Sequence, residues 1–173
     1  SDSIHTKDFS SMNTGLGWKL NLQETLVPVE VEDLEETTEY LVYNDSDGTE
    51  HYFHYNKETA IYEDEDGLGL TISKSGTKYT MTDEKDNVKI FENGYLKTMK
   101  DANGNQISIV YNAGNQISSV TLDTVSGAPV TIYNFIYDTG SKCLTEIQDY
   151  GGRKYLLAYA KNSDNKWNLM RIS

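Results

Sequence analysis

Apolar and polar residues alternate along this chain with a period of two, and that pattern restricts the fold more than any other feature. Successive side chains of a strand point to opposite faces, so alternation gives one buried and one wet face. A helix repeats every 3.6 residues and cannot sort the same residues in this way. Trp18, Leu20 and Leu22 alternate with Lys19 and Asn21. Leu68, Leu70 and Ile72 do the same, as do Ile107, Ile109 and Tyr111. Tyr155, Leu157 and Tyr159 follow, then Trp167, Leu169 and Arg171. From 130 to 137 both parities are apolar: Val130, Ile132 and Ile136 on one, Tyr133, Phe135 and Tyr137 on the other. That pattern is expected of a central strand covered on both faces.

Turn signals separate these runs. Asp47-Gly48, Asp66-Gly67, Asn93-Gly94, Asn103-Gly104, Gly114-Asn115 and Gly151-Gly152 all accept positive φ at low steric cost. Each lies between apolar runs and reads as a hairpin. The expected fold is all-β, an antiparallel meander of hairpins forming a curved or spiralling sheet. Residues 29–39, VEVEDLEETTE, depart from the pattern. Glu30, Glu32, Glu35, Glu36 and Glu39 crowd there, which reads as a solvated acidic loop or frayed strand end. A short helix and a cation-binding tongue are the alternatives.

Charge narrows the partners. The chain has 27 Asp and Glu against 15 Lys and Arg, a formal charge of -12. Such a surface repels phosphate backbones and anionic membranes, so neither nucleic acid nor membrane insertion is expected. No apolar run approaches the ~20 residues that a spanning helix needs. Cys143 is the single cysteine, so no internal disulfide supports the fold. Aromatics are skewed to 13 Tyr against 4 Phe and 2 Trp. Tyrosine suits a half-buried sheet, where the ring packs and the hydroxyl reaches water. The chain opens Ser1-Asp2-Ser3 without Met and shows no leader, and reads as an excised piece of a longer protein.

Three segments after residue 90 line up: Phe91 to Tyr111, Tyr111 to Tyr137, and Tyr137 to Tyr159. Each opens on an aromatic, carries Gly turns and strands, and closes on an aromatic, with a period of roughly 20–26 residues. Tyr137-Asp138, Gly140, Leu144, Ile147, Asp149, Gly152, Arg153 and Tyr159 spell Y-D-x-G, one residue shorter than Y-D-x-x-G, then a strand, D-x-x-G-R, a strand and Y. Asp101, Gly104 and Asn105, ending in Tyr111, give the D-x-x-G-N form. Gly15-Leu16-Gly17-Trp18 precedes the array, and Asp45 to Gly48 and Tyr62 to Gly67 fit degenerate copies. This pattern resembles the Rhs/YD-repeat family: bacterial wall-associated proteins, polymorphic and insecticidal toxins, and teneurins. The resemblance implies a long β-sheet spiralling into a hollow shell, which in toxin relatives encloses a C-terminal effector. The Asp-Pro cleavage motif of those relatives is absent, since Pro28 follows Val27 and Pro129 follows Ala128. On this reading 1–90 is an N-terminal β region with degenerate repeats and the acidic loop 29–39. Residues 91–173 hold the tandem repeats, in one continuous β unit.

Candidate chemistry is sparse. His51 and His54 are three apart, so on a strand they face opposite ways and do not converge on one ion. His5 lies in a terminus expected to fray. Cys143 follows Lys142 with no histidine near it in sequence, and reads as a packing or incidental thiol. Asp45-x-Asp47-Gly48 and Asp64-x-Asp66-Gly67 invite a calcium reading. An EF-hand register fails in both: its first and last ligands fall on Tyr43 and His54, or on Tyr62 and Ser73. Asp side chains bonding local amides in a hairpin turn explain both loops. No phosphate loop, nucleophile elbow or zinc-protease helix is present.

The expected role is therefore structural, without a catalytic site, metal or cofactor. The chain reads as one segment of an extracellular or surface-displayed bacterial β-shell. Its partners are the rest of its own parent chain, with self-association through exposed strand edges. An adhesion module for carbohydrate or protein is the alternative, and a hydrolase built on paired carboxylates is a third.

Overall fold

The computed structural model describes residues 24–124 and 127–173. His5, the Gly15 to Trp18 segment and the Trp18 to Leu22 alternation lie outside these residues. Among the described residues there are fourteen strands and no helix, and the strands are antiparallel to their partners. The residues group into two compact units, divided between Gln106 and Ile107.

The first unit holds β1 (Thr25–Glu32), β2 (Thr37–Asn44), β3 (Glu50–Asn56), β4 (Ile61–Asp64), β5 (Thr71–Ser75), β6 (Lys78–Thr82), β7 (Val88–Glu92) and β8 (Tyr95–Lys100). Each pairs with its neighbour in the chain. The ring then closes, because Thr25 of β1 pairs with Tyr95 of β8 and the Leu26 N–H donates to Gly94 O at 3.1 Å. The result is an eight-stranded barrel rather than the open spiral expected for this region. Alternation cannot separate the two, since both bury one face. Closure wins by removing strand edges.

Register builds the interior. Leu41 faces Phe53, Tyr62 faces Ile72, Ile72 faces Met81, and Tyr79 faces Phe91 across neighbouring strands. With Leu26 and Leu96, every strand supplies a residue at most 7% exposed. Eight strands enclose a space just wide enough for side chains to fill. Burying each large apolar side chain contributes about 1.5–3 kcal/mol.

The acidic stretch is solvent-exposed but is no loop. Val29–Glu32 lie in β1 and Thr37–Glu39 in β2, paired Val29 to Tyr40 through Glu32 to Thr37. Only 33–36 turn. Valines at 27, 29 and 31 give the stretch its hidden period of two, with the glutamates on the other face. The Leu68–Leu70–Ile72 alternation also misleads. Leu68 and Leu70 sit in the loop after β4, held by positive φ at Gly67 and Gly69, and β5 starts at Thr71.

The second unit holds β9 (Gln106–Tyr111), β10 (Ile117–Asp123), β11 (Val130–Tyr137), β12 (Leu144–Asp149), β13 (Lys154–Lys161) and β14 (Trp167–Ile172). From β10 to β14 each strand pairs with the next. Val120 faces Tyr133, and Phe135 faces Ile147. Strand β11 is apolar on both parities, but not equally covered. A bulge puts an additional residue on β11, so Ile132 and Tyr133 are both buried, while Ile136 stays 40% exposed.

Candidate functional site

Asp101, Gly104, Asn105, Asp149, Gly152 and Arg153 are turn residues, whereas Tyr111, Tyr137 and Tyr159 lie in β9, β11 and β13. Six turns share one geometry: 45–49, 83–87, 101–105, 112–116, 149–153 and 162–166. In each, the first residue is Asp or Asn and its N–H donates to the fifth residue's carbonyl. The fourth residue's N–H donates back to the first carbonyl. That fourth residue has positive φ: Gly48, Asp86, Gly104, Asn115, Gly152 and Asn165, between 59° and 87°. This is a type I turn closed by a left-handed residue, the three-residue hairpin loop. The first side chain locks it. Asp101 Oδ1 accepts the N–H groups of Asn103 and Asn105, both at 2.9 Å, and Asn112 Oδ1 does the same for Gly114 and Gln116. Asp149 accepts from the Arg153 N–H at 2.9 Å. Asn serves as well as Asp, so the turn needs an acceptor and not a charge.

Asp45 of the calcium-like loop belongs to this set, accepting from Asp47 and Thr49, as the turn reading expects. Burial pushes the Asp83 carboxyl up, but the hydrogen bonds from Asn87 and Lys85 together hold it below its usual range. The same bonding from Asn105 lowers Asp101. Asp138 heads a longer loop, where its Oδ2 accepts from Gly140 and Ser141. Asp138, Gly140 and Tyr159, with Ser141, Thr145, Leu157 and Lys161, line an open groove of about 550 Å³. Cys143 is buried, 3% exposed, with Sγ 3.8 Å from the Ser141 carbonyl.

Chemistry concentrates elsewhere, at one end of the barrel. His51 lies on the inner face of β3 and His54 on the outer, as their spacing requires. The His51 Nε2 is 2.7 Å from Asp45 Oδ2, and its Nδ1 is 2.9 Å from Asp66 Oδ2. The Asp45 hydrogen bond, then the Asp66 one, raise the imidazole pKa against the opposing effect of burial. Tyr43 pairs with His51 across β2 and β3, ring centroids 5.8 Å apart. The Tyr43 hydroxyl donates a short hydrogen bond to Glu24, which also accepts from Lys89 Nζ at 2.7 Å. Glu24 is 4% exposed, and no protein group hydrogen-bonds its second carboxylate oxygen. Burial, then the Glu24 charge, push the Tyr43 hydroxyl far above the ordinary phenol range. Tyr43 is therefore a fixed donor rather than a base.

Sequence reasoning missed this cluster because its members come from distant strands. Glu24 and Lys89 are 65 residues apart and Tyr43 is 19 from Glu24. No local spacing marks them. Both His51 nitrogens are engaged, which leaves no lone pair for a metal or for proton abstraction while the imidazole is charged. Among the described residues no group of three or more His, Cys, Asp or Glu is arranged to hold a metal ion. No model of a known protein family matches the chain, and no curated protein matches it in sequence.

Proposed function

We propose that this chain is a non-enzymatic structural segment of a secreted or surface-exposed bacterial protein of the Rhs/YD-repeat kind, contributing to an encapsulating β-shell. One observation carries the reading: two successive hairpins are clamped in the same way by the tyrosines that bound the sequence repeat. Tyr137 ends β11, and its hydroxyl donates to the carbonyl of Ile117, the first residue of β10, at 2.7 Å. Tyr159 of β13 donates to the carbonyl of Leu144, the first residue of β12, at 2.6 Å. Each tyrosine thus pins the open end of its own hairpin. Equal ties at equal places in consecutive hairpins are what a repeated ladder unit requires. Each unit then hands its apolar face and its next strand to the following one.

The test is the parent protein. Flanking coding sequence should add further Tyr-Asp copies, and electron microscopy of the whole product should show a closed β-shell. Flanks without such copies, around a particle without a lumen, would refute the proposal. Self-association through strand edges belongs to the same reading, and light scattering that shows a strict monomer would count against it.

The groove at Asp138, Tyr159 and Lys161 favours a second reading, adhesion to a surface glycan. Its lining combines the apolar Leu157 with the Ser141 and Thr145 hydroxyls, a mixture suited to a sugar ring. A glycan array with no binding would dismiss it.

A further inference from the structure

We propose that His51 is the latch of a pH-sensitive clasp: protonated, it fastens the β2–β3 turn to the loop between β4 and β5, and on losing its proton it lets them part. The device lies wholly within the barrel and is independent of the shell reading.

Geometry supports it. The His51 side chain is 11% exposed, with Asp45 Oδ2 on one nitrogen and Asp66 Oδ2 on the other. A neutral imidazole has one N–H, so it donates to one carboxylate and turns a lone pair toward the other. Only the imidazolium donates to both. Asp45 is anchored in its turn through its carboxylate, and Asp66 in its loop through the backbone. Asp45 Oδ1 accepts from Asp47 and Thr49, while the Asp66 N–H donates to Asp64 and the Glu65 N–H donates to the Tyr52 carbonyl. Deprotonation therefore turns a lone pair toward one carboxylate, and the less anchored, 49% exposed Asp66 side chain is the one free to swing away.

The charges in contact with the ring favour the proton. From β2 and its turn come Tyr43 and Asp45, and from the β4–β5 loop comes Asp66. Behind Tyr43, Glu24 and Lys89 of β7 form an ion pair with each other. The two anions nearest the ring thus face no competing cation at the ring itself. His54 provides an internal comparison. It sits on the outer face, 45% exposed, and its closest carboxylates, Glu63 and Glu65, stand off at 3.6 Å.

The experiment follows histidine titration by NMR and amide hydrogen exchange in the full chain from pH 5 to 9. His51 should titrate above the ordinary imidazole value of about 6.5. Protection of the Thr49 and Leu70 amides, which bond Asp45 and Asp64, should fall by up to about tenfold per pH unit across the His51 midpoint. His51→Gln should abolish that pH dependence. Asp66→Asn, at a side chain 49% exposed, keeps the test open if the first variant does not fold. It should move the His51 midpoint down toward the ordinary value near about 6.5. A His51 midpoint at or below about 6.5, or one unmoved by Asp66→Asn, would overturn the proposal.

Discussion

Two adjacent glycines, Gly151 and Gly152, should respond to alanine with opposite signs. They are the third and fourth residues of the 149–153 turn. Gly152 has φ of +80°, and a Cβ built there meets nothing within 4 Å. Space is thus no obstacle, and the whole cost is backbone: the left-handed conformation costs an L-residue about 1–2 kcal/mol. Gly151 is not in that region, and its Cβ would lie 3.4 Å from Asp149 Oδ1, an ordinary contact. There alanine reduces the freedom of the unfolded chain and stabilises by about 0.4–1 kcal/mol. The two variants should therefore differ by about 1.5–3 kcal/mol. For a chain of this size, each kcal/mol moves the melting temperature by about 2–4 °C. Thermal unfolding followed by circular dichroism should place Gly152→Ala below the parent and Gly151→Ala level with it or above. Gly104, at φ +87° in the equivalent place with nothing within 4 Å, should match Gly152. Equal effects at 151 and 152 would mean that left-handed backbone does not control these turns.

Tyr137→Phe and Tyr159→Phe should each lower stability by about 0.5–1.5 kcal/mol, the net worth of one hydrogen bond, as measured by urea unfolding. A loss at one and none at the other would break their equivalence. Lys89→Met should cost about 2–3 kcal/mol by leaving Glu24 charged and buried, less than for a sealed pair because Lys89 is 30% exposed. Adding Glu24→Gln to that variant should restore part of the loss, and a double-mutant cycle reads it. Stability should also fall on both sides of a plateau. His51 has a raised folded-state pKa, so its contribution is complete below the unfolded value of about 6.5 and disappears as pH rises through the folded value. Asp45 and Asp83 have lowered values, so theirs is complete above about 4 and disappears as pH falls through the folded values. Denaturant midpoints from pH 2 to 10 should show this dome, and His51→Gln should flatten its alkaline side.

Much of the fold was legible in short stretches. Asn93-Gly94 is a two-residue turn with both φ positive, as its chemistry demands, and it joins β7 to β8. Asp101 to Asn105 and Asp149 to Arg153 were readable as turns for the same reason. Their hydrogen bonds span five residues, so composition decides them. The opposed faces of His51 and His54 follow equally from strand geometry. Sequence reading failed where a local pattern was ambiguous. The charge of Glu30 to Glu39 obscured the Val27–Val29–Val31 alternation, and a paired strand looked like a loop. Leu68 and Leu70 kept the alternation of a strand where two glycines of positive φ form a loop.

By itself, then, the sequence determined the strand content and most of the tight turns, because each is decided by neighbours along the chain. Tertiary structure alone decided that β1 meets β8 and that Glu24 reaches Lys89 and Tyr43. It also decided that one histidine holds two loops whose aspartates lie 6 and 15 residues from it. These contacts join segments that share no local signal. What selects them is the closing of the sheet, which brings distant strands to the same end of one interior and obliges the charges buried there to find each other.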